Sequence, residues 1–160
     1  MNWQSFADQS PELASLLLAR FESTELLMLG TLRKNGWPRI SPVEPEFVGD
    51  ELMLGMMWRS PKALDLERDS RIVVHSTLSD RHDLSGDFKL YGHARPVEDA
   101  PRRDAHRAAI KARIDWEPTE PYHVFAVDIV SAGFVTFAEP RFGLAWEADG
   151  DLRRWTQRES

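Results

Sequence analysis

The chain has 160 residues, of which 42% are hydrophobic and 29% are charged. This length and composition fit one globular core, and we predict a single domain over residues 1–160. The net charge of −6 supplies no basic excess for binding nucleic-acid phosphates, and the absence of cysteine excludes disulfides and thiolate chemistry.

Neither a secretion signal nor a membrane-spanning segment is predicted. The first nine residues carry Asp8 and lack the charged, apolar and small-residue regions of a signal peptide. No apolar run reaches the roughly 18–20 residues that a membrane helix requires. Together with the missing cysteines, these features predict a soluble, cytoplasmic protein without a membrane partner.

The first predicted helix begins at residues 10–12, where a capping serine, a proline and an acid follow one another. It extends to about Phe21. The apolar run Leu26–Leu32 is predicted to be the first strand. The Lys-Asn-Gly sequence at residues 34–36 indicates a hairpin after it.

Three prolines mark the next segment, Trp37–Val48, as an edge or bulged strand, because proline lacks the N–H that a central strand donates. A tight turn at residues 49–50 separates it from the next predicted strand, Glu51–Trp58. A short helix is then predicted over Ser60–Arg68.

The rest of the chain is predicted to contain more strands than helices. Strands are predicted over Arg71–Thr77 and Asp87–Val97, with a polar loop at 78–86 between them, and a helix follows over Pro101–Ile114. One or two strands are predicted over Tyr122–Ala138, bent near Gly133. The chain then ends in a closing hairpin of Arg141–Trp146 and Asp151–Thr156. About seven or eight strands with two or three helices predict a mainly β (α+β) antiparallel barrel or sandwich. The usual glycine-rich dinucleotide and P-loop motifs do not occur in the sequence.

The helix start at residues 60–62 differs from the one at residues 10–12 in a single respect. Both have Ser-Pro, but Lys62 replaces the first-turn acid, and a cation there is unfavourable by up to roughly 1 kcal/mol. An anion between Lys62 and the helix end removes this conflict. Backbone donors, the Ser60 hydroxyl and the ammonium group together predict a phosphate site. The alternative is a solvated lysine behind an ordinary cap.

Several short segments follow one another in a characteristic order: the hairpin, Gly36–Val43 (GWPRISPV), Glu51–Trp58, Ser60–Leu66, Arg71–Val74 and Gly86–Ala94. In this order they resemble the pyridoxamine-phosphate-oxidase-like flavin-binding split barrels, over about residues 24–138. The resemblance implies an antiparallel split β-barrel with short helices between the strands. It also implies a homodimer that holds its cofactor in a groove between the subunits. Trp146 and Trp155 on the closing hairpin are candidates for that interface.

The resemblance also implies where the cofactor lies. It places the phosphate at Ser60 and Lys62 and the ring system along two strands, at Arg39, Ile40, Ser41, Met56, Met57 and Trp58. Arg39 is suited to pairing with a phosphate or a ring carbonyl, and Met57 and Trp58 are suited to packing against a flat ring. For the two methionines, a place in the core is the alternative.

Two departures from the family pattern bear on the reaction. Glu44 stands where true pyridoxamine phosphate oxidases have a basic residue, and residues 153–155 (Arg-Arg-Trp) stand where they have Arg-x-His. The chain therefore resembles the broader group that uses FMN or the deazaflavin coenzyme F-420 to reduce diverse compounds. We expect an oxidoreductase for a small organic substrate, in which the cofactor ring supplies the chemistry and no side chain is catalytic. The alternative is a non-catalytic flavin- or tetrapyrrole-binding module of the same fold.

The histidines and one basic helix face are two further groups of side chains with a bearing on sites. The five histidines show no metal-ligand spacing, so we predict no metal site; they are His75, His82, His93, His106 and His123. The predicted helix over 101–114 carries a basic stripe at successive i, i+4 positions, formed by Arg103, Arg107 and Lys111. Such a stripe is typical of a solvated helix face, and the alternative is attraction of an anionic cofactor tail or an acidic partner.

Overall fold

The computed structural model describes residues 1–78 and 80–156. Its helices are α1 (Trp3–Gln9), α2 (Pro11–Thr24), α3 (Pro61–Arg68) and α4 (Ala100–Ile114). Its strands are β1 (Leu27–Leu32), β2 (Pro38–Val43), β3 (Pro45–Val48), β4 (Glu51–Met57), β5 (Arg71–Ser76), β6 (Asp87–Pro96), β7 (Tyr122–Val135), β8 (Phe142–Glu147) and β9 (Arg153–Thr156). Residue 79 of the predicted loop and residues 157–160 of the predicted domain lie outside the described residues.

The strands form one antiparallel sheet whose path is β2-β1-β5-β6-β7-β4-β3, with the β8–β9 hairpin attached to β7. The two ends of this path, β2 and β3, are neighbours in the chain, and only Glu44 separates them. The sheet must therefore curl until its first and last strands come close together. This geometry confirms the predicted antiparallel split β-barrel.

The barrel interior is filled by the inward-facing residues of the strands and closed at one side by the N-terminal helices. Leu29, Val74 and Ile129 are fully buried in the strands, while Phe6 of α1 and Leu17 of α2 seal the core. The aromatic rings in this region pack edge to face, as for Phe6 and Trp146, whose centroids are 4.8 Å apart. Trp146 is 2% exposed, so its predicted place at an interface is wrong.

The structure corrects the predicted elements at several points. Helix α1 was not predicted, and α2 extends to Thr24. The predicted segment Trp37–Val48 is divided into β2 and β3 at Glu44. Strand β7 is one continuous strand up to Val135, with a register shift against β6 between Tyr91 and Gly92. None of the helices in the described ranges has both the length and the apolar composition needed to span a membrane.

Candidate functional site

A cavity of about 680 Å³ lies beneath α4, where β2 and β4 approach each other at the split. Four of the residues predicted to bind a cofactor line it: Met56, Met57, Trp58 and Lys62. The opposite wall comes from α4 and the segment that follows it, and its larger apolar and aromatic residues are Ile110, Trp116, Pro118, Pro121 and Tyr122. The cavity is thus bounded mainly by apolar and aromatic side chains, with a few polar groups, as binding sites for small molecules usually are.

Lys62 joins the two sides of the split. It lies in the first turn of α3, directly after β4, and its Nζ donates a hydrogen bond of 2.6 Å to the Pro42 carbonyl oxygen of β2. Burial lowers the pKa of Lys62, and the nearby Glu44 carboxylate opposes that shift. The ammonium group is therefore held at the cavity wall, with a part of its hydrogen-bonding capacity in use.

Ser60 occupies the N-cap position of α3, but its side chain does not cap the helix as predicted. The residue is 8% exposed, and its Oγ meets no hydrogen-bond partner within the described part of the chain. The first turn of α3 contains no acidic side chain. A buried hydroxyl without a partner, a helix N-terminus and a lysine thus lie within three residues, and this donor set suits a phosphate group.

Arg39 lies on the other side of the α3 start. Its Nε donates to Oδ2 of the buried Asp65 at 2.7 Å, and the Thr31 hydroxyl donates to the same oxygen at 3.0 Å. Burial raises the pKa of Asp65, but hydrogen bonds from Arg39, Thr31 and Arg68 outweigh it and the pKa is lowered overall. Arg39 thus lines an open basic groove next to Pro61, while Lys62 faces the cavity.

The other predicted ring-binding residues divide between the surface and the core. Ile40 is 70% exposed on β2, and Ser41 is half-buried; neither lines the cavity. Met56 is in the core and also lines the cavity, whereas Met57 is 78% exposed at its edge. The structure therefore gathers four of the eight predicted residues at the cavity and leaves Arg39, Ile40, Ser41 and Ser60 outside its lining.

Trp58 has a defined orientation although it is half exposed. Its ring stacks on His123 with centroids 4.6 Å apart and an angle of 12° between the planes, and His123 stacks in turn on Phe125 at 6.0 Å. His123 Nδ1 lies 3.5 Å from the Glu67 carboxylate. These contacts hold the indole at the mouth of the cavity, where it can cover a flat ligand.

Sequence reasoning missed His106, which is fully buried on α4 and lines the cavity. Its ring stacks on Tyr122, and Nδ1 lies 3.4 Å from the Tyr122 hydroxyl. Burial, helped by the Arg103 guanidinium, lowers the pKa of His106 to about 4. The imidazole is therefore neutral at physiological pH. One signal was available, since His106 and Ile110 are four residues apart on one helix face.

The predicted basic stripe is not a free cationic surface. Arg103 is paired with Glu120 at 2.8 Å, Arg107 with Asp104 at 2.7 Å, and Lys111 with Glu117 at 3.2 Å. Arg103 also lies over the Tyr122 ring, 4.6 Å from its centroid. With a carboxylate beside each cation, the stripe gives little support to attraction of an anionic tail.

The strands curl into a barrel that is split between β2 and β4 and bridged there by Lys62. This architecture defines the chain as a split-barrel protein. No protein-family model matches it, and no curated protein matches its sequence. Solved structures do match its fold. Their sequence identities to this chain are low, so these matches show the fold alone.

Three solved structures illustrate the match. A Clostridium acetobutylicum protein related to general stress protein 26 of B. subtilis (pyridoxinephosphate oxidase family) has a TM-score of 0.63 at 15% identity, covering 91% of this chain and 96% of that one. A pyridoxamine 5'-phosphate oxidase-related, FMN-binding protein from Nostoc punctiforme has 0.64 at 14%, covering 94% and 97%. A heme-binding protein from Mycobacterium smegmatis has 0.61 at 21%, covering 89% of this chain and 57% of that one. This chain therefore has the split-barrel fold of the pyridoxamine 5'-phosphate oxidase-like proteins and spans just over half of the mycobacterial protein.

Proposed function

We propose that the protein is an FMN-dependent oxidoreductase that acts on a small organic substrate in the cavity beneath α4. The observation that carries this proposal is the group at residues 60–62, beside a cavity with aromatic walls. There the Lys62 ammonium and a buried Ser60 hydroxyl, which has no partner among the described residues, flank a helix N-terminus. The FMN-binding protein from Nostoc punctiforme has the same fold, which supports a flavin as the ligand.

In this proposal the chain's own residues bind and orient, and FMN supplies the transfer of hydride or electrons when it is bound. Ser60, Lys62 and the first-turn N–H groups hold the phosphate. Arg39, held by Asp65, lines the basic groove beside Pro61. Trp58 and Met57 cover the ring and limit the access of water to it.

Titration of the full chain with FMN tests the cofactor. We expect binding of one FMN per chain, with quenching of flavin fluorescence, and reduction of the bound flavin followed by reoxidation with an added organic acceptor. Coenzyme F-420 and hemin serve as parallel titrants. If the chain binds neither FMN nor F-420, the proposal of a flavin-dependent enzyme is refuted.

The alternative function is a non-catalytic module that binds a flavin or a tetrapyrrole. The observation in its favour is the size and apolar character of the cavity, together with the fold shared with the heme-binding protein from Mycobacterium smegmatis. Tight binding of hemin without binding of FMN would favour this function, and so would a bound flavin that cannot be cycled. Each cation of the stripe on α4 is paired with a carboxylate, so the stripe gives little support to a cofactor with an anionic tail. FMN is therefore a simpler proposal than F-420.

We further propose that two copies associate through the side of the barrel that borders the cavity. Three apolar side chains on this side are largely exposed: Trp37 (69%), Ile40 (70%) and Met57 (78%). Trp37 directly precedes β2, Ile40 lies in β2 and Met57 ends β4, and both strands contribute to the cavity wall. Exposed apolar side chains next to a binding site are typical of an interface. A second copy placed there would cover the cofactor.

Sedimentation velocity tests the association. We expect the full chain to sediment with twice its mass of 18.4 kDa and the double variant Ile40→Glu, Met57→Glu to sediment as a monomer. Leu84→Glu, at an exposed apolar residue in a loop, is the matched control and should leave the dimer intact. A wild-type chain that stays monomeric at high concentration contradicts the proposal.

A further inference from the structure

His106 presents one ring nitrogen whose hydrogen-bonding capacity is unused in the described part of the chain. The residue is fully buried, and its Nε2 meets no hydrogen-bond partner among residues 1–78 and 80–156. A buried polar atom without a partner costs about 1–3 kcal/mol. Such an atom in the lining of a cavity can recover that cost by pairing with a ligand.

The polar contacts on the other side of the ring favour one tautomer of the imidazole. The Tyr122 hydroxyl lies 3.5 Å from the Arg103 carbonyl oxygen, which can only accept, so the hydroxyl donates to it. The Tyr122 oxygen is then the acceptor for His106 Nδ1–H at 3.4 Å. In the neutral ring with its proton on Nδ1, Nε2 carries a lone pair and accepts.

Gly55 of β4 leaves room for this edge of the imidazole. A Cβ at that position would lie 2.9 Å from His106 Cε1 and 3.3 Å from Nε2, which is too close to Cε1 for the ring to stay in place. Gly55 and His106 both line the cavity. Strand β4 and helix α4 thus meet at the Cε1–Nε2 edge of the His106 ring, and this edge carries the unused acceptor.

The charges of the cavity restrict its ligand in a second way. Among the described residues, its lining contains two carboxylates, Glu44 and Glu46, and one cation, Lys62. Lys62 already donates to Pro42, and Arg113 pairs with both carboxylates from outside the lining. The proposed function assigns the Lys62 ammonium to the cofactor phosphate, so an anionic substrate would find no further cation among the described lining residues.

We infer that the cavity selects a neutral, largely apolar ligand that donates one hydrogen bond, from a hydroxyl or an N–H group, to His106 Nε2. The inference rests on the proposed function, since this ligand would be the substrate of the oxidoreductase. It names the substrate class: a flat or compact neutral molecule with a donor at one end. Carboxylates and phosphate esters are outside that class.

Three naphthalenes of similar size test the inference by calorimetric titration of the full chain at pH 7, with FMN present so that its phosphate occupies Lys62. The probes are 2-naphthol, which donates; 2-methoxynaphthalene, which does not; and 2-naphthoate, which is an anion. We expect 2-naphthol to bind about threefold to tenfold more tightly than the methoxy compound, the value of one net hydrogen bond, and 2-naphthoate to bind least. Equal affinities for the naphthol and its methyl ether, or tighter binding of the naphthoate, would overturn the inference, and so would a lack of binding by all three.

Two variants assign the preference to His106. His106→Phe removes the acceptor but keeps a ring, and Gly55→Ala keeps the imidazole but displaces it; both should reduce the naphthol preference to about one. Gly150→Ala is the matched control, because a Cβ there would have its nearest contact at 3.9 Å, and it should preserve the preference. A full preference in Gly55→Ala would overturn the inference even if His106→Phe does not fold.

The FMN titration separates this inference from the proposed function. Naphthol selectivity without flavin binding refutes the oxidoreductase and supports the assigned acceptor. Flavin binding without naphthol selectivity supports the cofactor and refutes the acceptor. The two results can differ because the FMN titration measures flavin binding, whereas the comparison of the probes, which lack the phosphate of FMN, measures the preference for a donor.

Discussion

Replacing Lys62 by methionine is expected to weaken FMN binding by about tenfold to a hundredfold, the effect of one charge-assisted hydrogen bond. Methionine keeps most of the aliphatic stem that packs at the cavity wall and removes the ammonium group. The same ammonium donates to the Pro42 carbonyl in the free protein, so the variant also loses a contact across the split. Thermal unfolding of the free chain measures that structural part separately from the change in affinity.

A matched lysine provides the control for this prediction. Lys111 lies on α4 and pairs with Glu117 on the surface. Lys111→Met removes the same charge from the chain and should change the FMN affinity by less than twofold. Equal losses in the two variants would mean that net charge, and not a phosphate contact, determines binding, and the assigned role of Lys62 would then be wrong.

Ser60→Ala extends the same test to the second group of the phosphate site. Because Ser60 Oγ has no partner in the described structure of the free chain, removing it should leave the free energy of unfolding unchanged or slightly higher. FMN affinity should fall by about threefold to tenfold, since one neutral hydrogen bond is lost. A clear loss of stability with unchanged affinity would show that the hydroxyl serves the fold.

Much of the fold could be predicted because local signals and the global structure agree. The turn at residues 34–36 is one example: Gly36 has a φ of +84°, which glycine adopts at little cost, and the hairpin forms where it was predicted. Helix α1 was missed because it has seven residues and a single buried one, Phe6, so it shows no helical period in the sequence. Its start is marked only by Asn2, whose side chain accepts a hydrogen bond from Ser5 N–H at 2.9 Å.

The candidate site was less predictable, since its groups are paired by tertiary structure. The sequence resemblance placed Arg39 and Lys62 on one cofactor, but Arg39 is directed to the groove by Asp65, a partner 26 residues away. The pairing of Arg103 with Glu120 depends on the turn that brings the chain back beside α4. By contrast, the pair of Arg107 with Asp104 follows from their i, i+3 spacing and was predictable.

Asp65 is the residue whose loss is expected to cost the fold most among those near the site. It is 4% exposed and accepts hydrogen bonds from the Thr31 hydroxyl, the Arg39 guanidinium and Arg68. Asp65→Ala leaves a buried hydroxyl and a partly buried cation without their acceptor, so we expect about 3 kcal/mol less stability at pH 7 in chemical denaturation. Glu147→Ala, which removes the partner of exposed Arg153, is the control and should change little.

The pH dependence shows whether the charge of Asp65 carries this stability. Its pKa in the folded chain is lower than the value of about 4 expected in the unfolded chain, so the folded state binds fewer protons near that pH. The stabilisation is therefore complete well above pH 4 and is lost as the pH falls through the lowered folded-state pKa. Asp65→Asn should be less stable than the wild type at pH 7, and the difference should shrink below about pH 4. A difference that stays constant down to pH 3 would show that the shape of the side chain, and not its charge, holds Arg39 beside the start of α3.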